Sequence, residues 1–152
     1  MNVFVADEQA VPVNGAELRA LALHVLEQEG YPSATEASIF FVTDEQMAGY
    51  NERFLQREGP TDVLAFPLEE LVPGRAPVVA ADGPPLTVGD VFIAPNHVRT
   101  QAADRGGRFE QEMELMVVHG LLHLLGYDHQ DDEEAETMES RERRLLAERR
   151  HS

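Results

Sequence analysis

Three histidines fall within one leucine-rich run, His119-Gly120-Leu121-Leu122-His123-Leu124-Leu125-Gly126-Tyr127-Asp128-His129, in a chain that has 6 histidines in all. The spacing is H-x3-H-x2-G-x2-H. Residues four apart on a helix project from one face, one turn above the other, so His119 and His123 share a face. Gly126 can take the left-handed conformation that ends a helix. A chain that turns back there brings His129 to the open side of the first two. Three imidazole nitrogens converging in this way leave the fourth position of a tetrahedral zinc open for water, the arrangement of a catalytic rather than a structural site.

A lone histidine on an apolar helix face is ordinarily a core residue with its hydrogen bonds met. Here Val117, Val118, Leu121, Leu122, Leu124 and Leu125 mark a deeply buried helix, in which unpartnered imidazoles are costly. A shared metal supplies the partner. The spacing also matches the zinc-peptidase pattern H-E-x-x-H-x-x-G-x-x-H except at one position. The glutamate that acts as general base there is Gly120 here, so the ligand cage is intact and the peptidase base is missing. The pattern reads as a metal-dependent hydrolase of another kind.

With 152 residues the chain has the length of one domain with a real core; it is read as a single hydrolase domain over 1–152. There is no cysteine, so disulfides and thiolate ligands are excluded and zinc ligands must be histidine or carboxylate. The first residues carry no basic segment and no long apolar stretch, unlike a signal peptide. The longest apolar run, Leu115 to Leu125, is too short to span a bilayer. The expectation is a cytoplasmic protein with no membrane association. The net charge of −16 repels nucleic acid as a whole, so an RNA substrate needs a local basic patch or a partner. All 12 basic residues are arginine.

Along the chain, residues 1–6 read as a strand. Asn14 and Glu17 resemble a capping box, and Leu18, Leu21, Val25 and Leu26 give helical periodicity up to Gly30. Residues 37–42 read as a strand. Thr43 with Gln46 suggests an N-cap for a short helix to about Phe54. A turn at Pro60-Thr61-Asp62, with Thr61 and Asp62 structural, leads into a short buried strand. Residues 69–85, rich in proline, glycine and alanine, read as a surface loop. Leu86 to Ala94 is a strand interrupted by Gly89-Asp90. Pro95 opens a helix to about Asp104, the histidine helix runs from about Arg108 to Leu125, and a last helix runs from about Asp132 to Arg149. Its acids come first and its arginines last, which suits the helix dipole. That pattern reads as a solvated face, with a Glu139–Arg143 pair. The class is α/β (α+β), with one small mixed sheet, about five helices and the metal site at the end of a buried helix. Sheet order is not readable from the sequence.

These residues resemble the YbeY family, bacterial endoribonucleases and rRNA maturation factors. The histidine run from His119 to His129 matches the family signature. Asn51, followed by Pro60-Thr61-Asp62-Val63-Leu64-Ala65-Phe66-Pro67, is similar to its N…PTDVLSFP segment. Val88-Gly89-Asp90-Val91-Phe92-Ile93-Ala94-Pro95 is similar to its LGDIVI-P segment. The resemblance spans roughly residues 40–130. It implies one α/β domain, a Zn2+ ion on the three histidines, and hydrolysis of phosphodiester bonds in single-stranded RNA. It implies a role in maturing the 3′ end of the 16S rRNA precursor and in ribosome quality control, with the small ribosomal subunit and the GTPase Era as partners. Many members carry an arginine just after the aromatic that Phe54 matches; that position is Leu55 here.

The expected metal ligands are His119, His123 and His129, which would generate the attacking hydroxide from water on zinc. Arg57 is the first candidate to hold a phosphate oxygen and Arg53 the second, each with a solvated surface arginine as the alternative. Asp128 either orients a histidine from behind or caps the turn. His24, His97 and His151 are not expected to bind metal. Two other readings stand beside the endoribonuclease: a zinc peptidase or amidohydrolase, opposed by Gly120, and a non-enzymatic ribosome-assembly factor with structural zinc.

Overall fold

A computed structural model describes residues 1–55 and 61–150. Arg57 therefore lies outside the described residues. In chain order the elements are β1 (Asn2–Asp7), α1 (Gly15–Gln28), β2 (Thr35–Phe41), α2 (Asp44–Leu55), β3 (Val63–Pro67), β4 (Leu86–Ile93), α3 (Pro95–Asp104), α4 (Phe109–Leu124) and α5 (Asp132–Arg150). The expected α+β class is what is found.

The sheet order is β1-β2-β4-β3. β1, β2 and β4 run parallel, and β3 closes the edge antiparallel to β4, with Val63 opposite Ile93 and Pro67 opposite Gly89. The strand expected to break at Gly89-Asp90 instead continues through them, and the β2–β4 register shifts between Glu36 and Ala37. A bulge of this kind absorbs an extra residue without ending the ladder.

Strand alternation divides the core into two layers. Thr35, Ala37, Ile39 and Phe41 of β2 face one side and are buried, where α1 and α4 pack with Val25, Leu26, Val117 and Leu121. Phe40 and Phe92 face the other side, where Met47 and Tyr50 of α2 join Leu64 and Phe66 in a smaller cluster. Two helix starts follow the expected caps. Asn14 Oδ1 accepts the Glu17 N–H at 3.3 Å, and Thr43 and Gln46 bond each other reciprocally through Gln46 N–H to Thr43 Oγ1 at 3.1 Å and Thr43 N–H to Gln46 Oε1 at 3.0 Å, a capping box.

The loop over 69–85 is exposed at Val78 but anchored where Leu71 and Ala76 pack on the core. The last helix departs from the solvated-face reading. Met138, Glu142 and Leu145, at helical spacing, are all buried, and Arg143 reaches Glu136 at 3.6 Å rather than Glu139. No helix among the described residues is long and apolar enough to cross a membrane.

Candidate metal centre

The end of α4 builds the site. Leu125 closes the helix, Gly126 N–H donates to His123 O at 3.1 Å, and Tyr127 N–H donates to Leu122 O at 3.1 Å. These two bonds form a Schellman motif. Gly126 has φ of 101°, and a Cβ there would stand 2.1 Å from the Leu71 carbonyl oxygen. Both the left-handed turn and the close approach of the 68–73 segment require glycine. This reversal carries His129 back over the last turn of α4.

His119, His123 and His129 come together as their spacing implies. One ligand nitrogen from each ring lies within 4.8 Å of the others, so the three can hold a metal ion. His119 Nε2 and His123 Nε2 are 3.1 Å apart. A tetrahedron with metal–nitrogen bonds of about 2.0–2.1 Å has an edge of ~3.3 Å, so this pair is already near ligand spacing. The His129 ring closes the third side at 5.6 Å and 5.0 Å, centroid to centroid, from His119 and His123. The donor set fits a first-row divalent ion, for which imidazole is a common ligand. Burial, then the neighbouring His119 and His129, holds His123 below the ordinary imidazole range, against smaller opposing effects of Asp128 and the Tyr127 backbone. Its ring is thus a neutral donor at neutral pH.

The three rings line a cleft of about 500 Å³, whose walls also include Leu55, Thr61, Asp62 and Val63. That volume is within the range of ligand sites. A larger hollow of about 720 Å³ lies between α1 and α4 near Asn14, Leu21 and Met113 and is lined by no histidine. The convergent imidazoles are in the smaller cleft.

Asp128 accepts the His129 backbone N–H at 2.8 Å, while its carboxylate stands 4.0 Å from His129 Nδ1. The hydrogen bond is thus to the turn. Gly120 faces the sheet, where Val91 and Val63 leave no room for a side chain. A glutamate in the peptidase position is excluded by packing. Thr61 bonds Asp62 at 3.3 Å, and the Asp62 carbonyl accepts the Ala94 N–H at 3.0 Å, the structural role expected of that turn. His97 pairs with Gln101 at 3.0 Å and His24 Nε2 stands 3.3 Å from Glu148 Oε2, both away from the cleft.

Sequence reasoning missed Glu142. Its Oε1 lies 2.6 Å from His119 Nδ1, on the side of the ring opposite the cluster, and its side chain is only 10% exposed. The available signal was its place between Met138 and Leu145 on an apolar stripe. A second missed group sits alongside. Glu29, at the end of α1, accepts the Tyr127 hydroxyl at 2.5 Å and Arg141 Nε at 2.6 Å, and Arg141 Nη2 also reaches the Gln28 carbonyl at 3.3 Å.

The chain is similar to the endoribonuclease YbeY of Beutenbergia cavernae, 42% identical over 146 residues covering 96% of this chain and 95% of that one. It is similar to the endoribonuclease YbeY of Acidothermus cellulolyticus, 40% identical over 147 residues covering 96% and 90%. The solution structure of TM1509 from Thermotoga maritima shares the fold, with a TM-score of 0.61 and 24% identity over 99% of this chain and 93% of that one. The model of the family described as endoribonuclease YbeY matches residues 4–150, and the chain belongs to that family.

Proposed function

We propose that the protein is a zinc-dependent endoribonuclease that hydrolyses phosphodiester bonds in single-stranded RNA. The convergence of His119, His123 and His129 in an open cleft carries the reading, and the names of its relatives supply the substrate class. When bound, zinc supplies Lewis acidity, positive charge for a phosphate oxygen and water that ionises near neutral pH. His123 offers a neutral lone pair because its burial, then His119 and His129, disfavour protonation. Leu55 and Val63 add apolar surface to the walls of the open cleft.

The rest of the chain must hold RNA despite a charge of −16. Phe54, the neighbour in sequence of the cleft-lining Leu55, is 56% exposed, with the Arg53 guanidinium 5.9 Å from its ring centroid. An exposed ring next to a cation is a stacking platform for an unpaired base, and it selects single strands because paired bases keep their faces covered. Arg53 and Arg57 are the cations for the phosphate backbone. On the family resemblance, the substrate is the 16S rRNA precursor at its 3′ end, met in the cytoplasm on the small ribosomal subunit with the GTPase Era as partner.

The test is cleavage of an end-labelled single-stranded RNA by zinc-loaded wild type and His123→Ala protein purified side by side, with and without chelator. Internal cuts by wild type alone, with the duplex of the same sequence spared, are expected. Equal cleavage in all samples would overturn intrinsic ribonuclease activity and favour a role in ribosome assembly without catalysis.

A further inference from the structure

Glu142 is a buried carboxylate on an otherwise apolar stripe. Such a group is costly without a partner, and its partner here is the outer nitrogen of His119 at 2.6 Å. A carboxylate accepts, so the ring proton belongs on Nδ1 and the Nε2 lone pair is left pointing into the cluster, toward His123. A free neutral imidazole prefers its proton on Nε2, the nitrogen that a metal must reach. The α5 carboxylate therefore opposes the tautomer that would block the site.

Its aim is fixed from both sides. Met138 and Leu145 bury the same stripe of α5 one turn before and after it. Arg141, the preceding residue, is locked onto Glu29 and the Gln28 carbonyl. Asp128, next to His129, accepts the His129 backbone N–H with its carboxylate. Resting on the reading of the three histidines as a metal centre, we infer that Glu142 is a positioning residue. Across 23 residues of chain, it holds the His119 ring in the orientation and tautomer that present Nε2 to the metal.

The test compares wild type, Glu142→Ala, Glu142→Gln and Leu145→Val, the last loosening α5 without changing a polar group. Zinc affinity is measured by competition with a chromophoric chelator, and the His119 tautomer in zinc-free protein by imidazole nitrogen NMR at mildly alkaline pH. Loss of a group of this kind weakens metal binding roughly 10- to 100-fold, and that loss is expected for Glu142→Ala, with the ring proton moving to Nε2. Glu142→Gln keeps an acceptor oxygen, retains the Nδ1 proton and is expected to lose less. Leu145→Val is expected to bind zinc as wild type does. Unchanged affinity and tautomer in Glu142→Ala, or an equal loss in Leu145→Val, would overturn the inference while leaving the metal centre intact. Failure of wild type to bind zinc would overturn both.

Discussion

Gly120 lies directly against Val91: a Cβ at position 120 would stand 2.6 Å from Val91 Cγ1 and 3.1 Å from Cγ2, with Val63 Cγ2 at 3.4 Å. The missing side chain lets the backbone of α4 settle on β4 and β3, and it sets the height of His119 and His123 above the sheet. Gly120→Ala is expected to destabilise the protein by roughly 1–3 kcal/mol, as overpacking of a close contact does, even though alanine is the better helix former. Urea denaturation measures this directly. Val91→Ala introduced with Gly120→Ala is expected to recover part of the loss. A neutral or stabilising Gly120→Ala would show that α4 can lift away from the sheet without strain.

The convergence of the three histidines was legible because its determinants are local. Two histidines one turn apart and a glycine three residues beyond the second fix the geometry within a single helix end. The groups that support it were not. Glu142 looks like one more acid in an acidic helix until its register with Met138 and Leu145 is weighed. Glu29 and Arg141 are 112 residues apart, and no periodicity links them. Strand order was hidden for the same reason: parallel partners β1, β2 and β4 are joined through helices, and their pairing is set by what each face buries rather than by any turn. The Gly89-Asp90 step illustrates the limit, since a glycine that reads as a break sits within a continuous strand.

The Glu29–Arg141 pair joins α1 to α5 and holds Tyr127, two residues before His129. The Glu29 side chain is 4% exposed and that of Arg141 20%. Removing one partner of a buried pair leaves an uncompensated charge and costs about 3–5 kcal/mol. The partial exposure of Arg141 puts Arg141→Met near the lower figure, a fall in melting temperature of about 6–12 °C for a chain of this size. Glu29→Gln combined with Arg141→Met is expected to be less damaging than the sum of the two, read by a double-mutant cycle. Strict additivity would mean that the two side chains do not stabilise each other.

Zinc is expected to stabilise the folded chain through all three histidines. At a free concentration of 100 times the dissociation constant the gain is about 2.7 kcal/mol, or a rise in melting temperature of about 5–11 °C. Single His119→Ala, His123→Ala and His129→Ala variants are expected to lose most of that rise. His24→Ala and His97→Ala, whose rings lie beside Glu148 and Gln101 and line no part of the cleft, are expected to keep it. An undiminished rise in the His129→Ala protein would remove the third ligand from the set.

At the alkaline end, stability is tied to two tyrosines beside Glu29. Burial, then the Glu29 carboxylate, pushes the Tyr31 phenol up to about 12. Burial followed by the hydrogen bond to Glu29 raises Tyr127 well above the ordinary range. In the unfolded chain both ionise near pH 10. Between pH 10 and 12 the folded state therefore holds more protons than the unfolded one, and stability falls as pH rises. The contribution is fully present below pH 10 and is lost progressively above it. Urea midpoints across this window are expected to fall more steeply for wild type than for Tyr127→Phe, which has no phenol to ionise. In wild type, absorbance is expected to show two of the 3 tyrosines forming phenolate only as the fold is lost. Full phenolate formation near pH 10 with the fold intact would place both hydroxyls in contact with water.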